Sequence, residues 1–78
     1  MMNENELAGC IRKSMEDYFR HLDGEKPSAV YDMVISHVEK PLLQFVMDKA
    51  QGNQTRAAEI LGLNRNTLRK KIKDHGIK

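Results

Sequence analysis

GNQTRAAEILGLNRNTLRKKIKDHGIK, residues 52–78, reads as two short helices separated by a tight turn. Gly52, in the break Gln51–Gly52–Asn53, takes the C-cap position of whatever helix precedes it. Asn53 can cap the helix that follows by accepting one of its free backbone N–H groups. That helix is expected over residues 54–61. Gly62, Leu63 and Asn64 then make the turn, Asn64 caps again, and a last helix is expected over residues 65–74, before a stop at Gly76. Two short helices joined by a glycine-containing turn are the helix-turn-helix arrangement. Ala58 is small where the two helices must approach. Leu61, Leu63, Leu68 and Ile72 supply a shared core. The opposite side of the last helix is left to Arg65, Asn66, Arg69, Lys70 and Lys73.

Charge follows the same division. Residues 1–50 hold six Lys and Arg against nine Asp and Glu, a net of −3, whereas residues 51–78 hold seven against two, a net of +5. The overall charge of +2 therefore conceals a basic end, whose field attracts polyanions, nucleic acid foremost.

Upstream, Leu7, Ile11, Met15, Tyr18 and Leu22 recur at spacings of four, four, three and four, the stripe of an amphipathic helix over about 7–22. Asp23 and Gly24 should end it, and Pro27 keeps the connection extended. Ser28 is placed to cap a second helix, whose stripe is Val30, Val34, Val38, Leu42, Phe45 and Lys49 and which should run to about Ala50. Pro41 lies within this stripe, where it removes one backbone hydrogen bond and crowds the carbonyl of His37. Either the helix kinks and continues or it splits, with Pro41 opening a new helix. The stripe passes through in phase, which favours continuity, and both readings remain open. Tyr31, Met33, Ile35, Val46 and Met47 add apolar positions off the stripe, so the second helix needs cover on several sides, and a second copy of the chain is the natural source.

The expected architecture is all-α: four helices, with residues 1–50 as a dimerisation part whose two helices form an intertwined dimer core, and residues 51–78 as a helix-turn-helix. The 78 residues allow one compact domain. A chain of this size buries only about 60% of the surface exposed by its unfolded form, so an additional staple is expected. A single cysteine excludes an internal disulfide, and Cys10, His21, His37 and His75 lack the paired spacings of zinc sites, which leaves oligomerisation. No Cys/His or Ser/His/Asp arrangement suggests catalysis, so neither an enzyme nor a cofactor is expected. No apolar run approaches a membrane span, and the polar, acidic start is unlike a signal peptide, giving the expectation of a soluble cytoplasmic protein.

The terminal stretch, together with EKPLLQFVMDKAQ before it, closely resembles the Fis family of bacterial nucleoid-associated proteins, the factors for inversion stimulation; the resemblance spans about residues 11–77. Helix-turn-helix units of this type also end the NtrC class of activators. The YxxxxxxVExPLLxxVM pattern from Tyr31 to Met47 resembles the kinked second helix of Fis, and with the chain beginning at Met1 no ATPase domain is expected.

A helix of this kind fits the major groove of DNA, where the N-terminal residues of the recognition helix meet base edges. Arg65 is the first candidate for a bidentate guanine contact. Asn64, Thr67, Arg69 and Lys70 are expected to reach bases or backbone, and Lys71 and Lys73 phosphates. Asn53, Thr55 and Arg56 would grip phosphate at the positive end of their helix. The two asparagines can also serve simply as caps, and the two roles are compatible. The resemblance implies the same assignments, and with them a homodimer that bends double-stranded DNA in the nucleoid and recognises degenerate symmetric sites with an A/T-rich centre. It also implies an RNA polymerase contact near Gln51, Gly52 and Gln54. Two positions depart from the usual pattern: Asp74 and Gln51 stand where basic residues are common. Met1 to Glu6 has neither the length nor the alternation of the hairpin arm with which Fis touches a recombinase, so that contact is not expected. The rival reading is a helical adaptor or co-regulator that binds a protein partner through the basic end.

Overall fold

The computed structural model describes residues 4–77 and, within them, the side chains of residues 5–77. Four helices follow in order: α1 (Glu4–Arg20), α2 (Val30–Lys49), α3 (Gln54–Leu61) and α4 (Arg65–Asp74). The described residues contain no strand. The chain divides into two compact units, residues 1–30 and 31–78.

In the first unit α1 begins three residues earlier than its apolar stripe. Glutamate is a good helix former, and at the start of a helix its charge is favoured by the positive end of the dipole, so the polar lead-in joins the helix. Of the stretch Met1 to Glu6, the first three residues lie outside the described residues. Ile11, Met15, Tyr18 and Leu22 are half-buried, and the Tyr18 and Phe19 rings meet edge to face at 5.4 Å. The helix ends two residues before Leu22, and the chain then turns through Asp23 and Gly24 with left-handed backbone at φ 55° and 88°.

The second unit is built on α2, which continues through Pro41. His37, whose carbonyl loses its donor to the proline, is exposed, as is Pro41, so water can serve the freed group. The residue preceding α2 is Ala29, in the left-handed region at φ 51°, rather than the expected cap Ser28.

The core comprises Leu43, Val46, Met47 and Ala50 from α2, Ala57 and Ala58 from α3, Leu68 and Ile72 from α4, and Ile77, with Leu61 and Leu63 packed against it. Leu43 and Leu68 are its largest fully buried side chains, each stabilising the fold by about 1.5 to 3 kcal/mol. The stripe read from the sequence is not the one that forms this core. Val38, Leu42 and Phe45 are exposed, as are Tyr31 and Ile35, while the residues at 43, 46, 47 and 50 turn inward. Both sets obey helical spacing. The second half of α2 thus belongs structurally with the helix-turn-helix, although the sequence placed it in a dimerisation part.

All three helices of this unit end in the same paired motif. Gly52 N donates to Met47 O and Gln51 N to Asp48 O; Leu63 N to Ala58 O and Gly62 N to Glu59 O; Ile77 N to Ile72 O and Gly76 N to Lys73 O, at 3.0 to 3.3 Å. The residue in the left-handed position is glycine at 62 and 76, but Gln51 at the end of α2 (φ 55°), one place before the expected Gly52. In the last two motifs the residue after the glycine, Leu63 or Ile77, folds back onto the core, which fixes where α3 and α4 end.

Candidate nucleic-acid interface

Asn53 and Asn64 cap α3 and α4 as their positions require. Asn53 Oδ1 accepts from Arg56 N at 3.2 Å, and Asn64 Oδ1 accepts from Asn66 N at 2.8 Å. Neither helix has an acidic residue in its first turn, so the positive end of each dipole is left uncompensated by protein charge. The two ends are linked: the Arg65 guanidinium donates to Thr55 Oγ1 at 3.4 Å. An anion at this edge would meet backbone N–H groups, the Thr55 hydroxyl and two arginines together.

Helix α4 is divided lengthwise. Leu68 and Ile72 bury themselves against the core, whereas Arg65, Asn66, Thr67, Arg69, Lys70 and Lys73 are exposed. Thr55 and Arg56 are exposed in the first turn of α3. Four cations therefore stand on the open side of α4, and the acidic residue among them is Asp74, also exposed, at the helix's last position. In the turn between α2 and α3, Gln51 and Gly52 are exposed with left-handed backbone, and Gln54 is half-buried.

Lys71 departs from its expected place among the phosphate contacts. Its Nζ lies 2.8 Å from Glu39 Oε2 on α2. Glu39 Oε1 is 2.8 Å from His75 Nε2, so one carboxylate spans both side chains, and all three residues are partly buried. The Lys71 bond, followed by that of His75, holds the Glu39 carboxyl below its ordinary value of 4.5, against a smaller opposing effect of burial. The reason is geometric. At about 100° per residue, Lys71 stands about 60° round the helix from Leu68 and belongs to the flank of the buried stripe. Sequence reasoning assigned no role to Glu39. The signal available was a carboxylate next to an apolar stripe, facing a lysine and a histidine spaced one turn apart.

Residues 35–75 match the model of a family described as bacterial regulatory protein, Fis family. The chain is similar to a protein of Ralstonia nicotianae named as a Fis-like DNA-binding protein, with 55% identity over 76 residues, 97% of this chain and 99% of the relative. It is also similar to one of the same name from Neisseria meningitidis serogroup A, with 54% identity over 72 residues, covering 92% of this chain and 91% of the relative.

Proposed function

Because this chain belongs to the Fis family of bacterial regulatory proteins, we propose that it is a homodimeric, non-enzymatic DNA-binding regulator that bends its target. The observation that carries the proposal is the lengthwise division of α4, which presents Asn66, Arg69, Lys70 and Lys73 away from the buried Leu68 and Ile72, with Arg65 exposed at its first position beside α3. An α-helix of this build fits the major groove, with Arg65 at its N-terminal end where base edges are met. Asn64, Thr67, Arg69 and Lys70 serve bases or adjacent backbone, and Lys73 serves phosphate. Asn53, Thr55 and Arg56 clasp phosphate at the start of α3. Lys71, turned toward Glu39, is left out of the contact set.

The exposed stripe of Tyr31, Ile35, Val38, Leu42 and Phe45 supports the second copy, since it is apolar surface that the unit's own core does not use. Two copies give a symmetric site, and bending follows where the two recognition helices stand too close together to enter successive major grooves of straight DNA. A flexible or narrow-grooved A/T centre then contributes through its deformation energy. The Gln51–Gly52 turn with Gln54 is proposed as the polymerase contact. No membrane partner is proposed: no helix among the described residues is long and apolar enough to cross a bilayer.

The test is binding to a short symmetric duplex with an A/T-rich centre, to the same ends around a G/C centre, and to a scrambled duplex, across a salt series. A dimer neutralising about 6 to 10 phosphates should lose about 10³ to 10⁵ in affinity between about 50 and 200 mM salt. The A/T-centred duplex should bind tightest throughout. Absence of binding to any duplex at low salt would transfer the basic face to a protein partner, and equal affinity for A/T and G/C centres would remove indirect readout.

A further inference from the structure

The contacts joining α2 to the end of α4 are of two kinds. Leu43, Val46, Met47 and Ala50 meet Leu68, Ile72 and Ile77 through apolar packing, which is attractive but carries no direction. The Glu39 carboxylate is different, because hydrogen bonds are directional and this one uses both oxygens, Oε2 on Lys71 and Oε1 on His75, each at 2.8 Å. Lys71 and His75 are one helical turn apart, so a single group on α2 grips α4 at two points along its length. Two points define a roll about the helix axis and a position along it, which apolar packing alone leaves softer. The same grip takes Lys71 out of the row of cations on the open side. The titratable groups at this point are Glu39 from α2, Lys71 from α4 and His75, the residue that caps α4; Lys40, Lys73 and Asp74 beside them in sequence are exposed.

We propose that Glu39 is a positioning residue for sequence discrimination: by holding Lys71 and His75 it sets the roll of α4 on α2 and keeps Lys71 away from the DNA. This rests on the reading of α4 as the recognition helix. A base contact made by Arg65 needs the helix at one roll angle, whereas phosphate attraction tolerates many. Loosening the grip therefore acts oppositely on the two kinds of binding. Discrimination falls because Arg65 and its neighbours are less well placed, while attraction to any duplex rises because Lys71 becomes available and one negative charge is gone.

The experiment compares wild type, Glu39→Gln, His75→Gln and the double variant Glu39→Gln/Lys71→Gln on a symmetric A/T-centred duplex and a scrambled duplex, with melting followed by circular dichroism. An amide offers one acceptor oxygen where the carboxylate offers two. The expected result for Glu39→Gln is a three- to tenfold smaller ratio of specific to scrambled affinity, with scrambled affinity unchanged or raised. The double variant should return scrambled affinity to the wild-type level or below it without restoring the ratio. His75→Gln, which loosens the grip from the other side, should reduce the ratio in the same direction and keeps the test decisive if Glu39→Gln does not fold. An unchanged ratio in a folded Glu39→Gln or His75→Gln protein overturns the proposal, as does a proportional loss on both duplexes, the mark of a purely structural role. Wild type binding neither duplex defeats the DNA reading itself, whereas wild-type binding with an unaffected variant ratio defeats only the role of Glu39.

Discussion

The guanidinium of Arg65 donates to the hydroxyl of Thr55 at 3.4 Å, joining the first residue of α4 to the first turn of α3. The interaction is long and exposed, so it contributes little to stability. Its importance is spatial. It brings the start of one helix, which lacks acidic residues, beside the start of another, and it aims an arginine along that edge with most of its five N–H donors unused.

Replacing Arg65 with alanine therefore separates recognition from folding. A bidentate arginine–guanine contact is worth about 1 to 3 kcal/mol of discrimination, roughly fivefold to 150-fold in relative affinity. Arg65→Ala should lose that preference at one symmetric pair of positions in the site while the thermal midpoint stays within about 2 °C of wild type, since the side chain is exposed. A base-substitution series on the symmetric duplex reads the loss position by position. Uniform weakening across all sequences would assign Arg65 to phosphate.

Gln51 occupies the left-handed position of a motif that α3 and α4 close with glycine. Holding an L side chain there costs about 1 kcal/mol, and glycine removes that strain while adding freedom to the unfolded chain. Gln51→Gly should therefore stabilise the protein by a few tenths to about 1 kcal/mol, measured as a higher urea midpoint at unchanged slope. At Gly62, by contrast, nothing lies within 4 Å of an added Cβ, so a destabilised Gly62→Ala would report backbone strain alone.

The C-terminal half was legible almost residue by residue, because caps, glycine stops and small-residue positions constrain the backbone locally. Asn53, Gly62, Asn64 and Gly76 each act within four residues of themselves. The first half was harder to read. Helix α2 carries two apolar stripes of equal regularity, and periodicity cannot say which of them meets the chain's own core and which remains for a partner. Lys71 shows a related point: charge marks a residue as basic, but only the fold shows that its Nζ meets the Glu39 carboxylate. The Glu39 grip depends on residues 32 and 36 positions apart, and no local rule reaches that far.

The unused stripe leads to a prediction about assembly. Leu42 and Phe45 are exposed at 47% and 62% and belong to no core cluster. Leu42→Asp should leave the helical circular dichroism spectrum and the α3–α4 packing intact while converting dimer to monomer in sedimentation equilibrium. A monomer engages one half of a symmetric site, so the slope of log affinity against log salt should fall by about half. Retention of a dimer in this variant would place the subunit interface elsewhere.

The Glu39 carboxyl also links stability to pH. Its lowered value means that the folded protein holds this group charged at acidities where the unfolded chain has already begun to protonate it. In that interval the unfolded state binds more protons, so stability rises with pH through it. The contribution is fully present above the ordinary carboxylate value and is lost as pH falls through the depressed folded value. Charged hydrogen bonds contribute about 1.5 to 3 kcal/mol when buried, and the partial exposure of all three side chains reduces this to about 1 to 2 kcal/mol. Wild type should therefore be more stable than Glu39→Gln by that amount at pH 7, and the gap should close as the pH is lowered through the ordinary carboxylate value of 4.5 and on through the depressed folded value. Other carboxylates titrate over the same range, but they are common to both proteins and cancel in the difference. Urea midpoints for the pair at pH 7, 5, 4 and 3 measure the gap directly. One that persisted undiminished at pH 3 would mean that the shape of the side chain, and not its charge, holds Lys71 and His75.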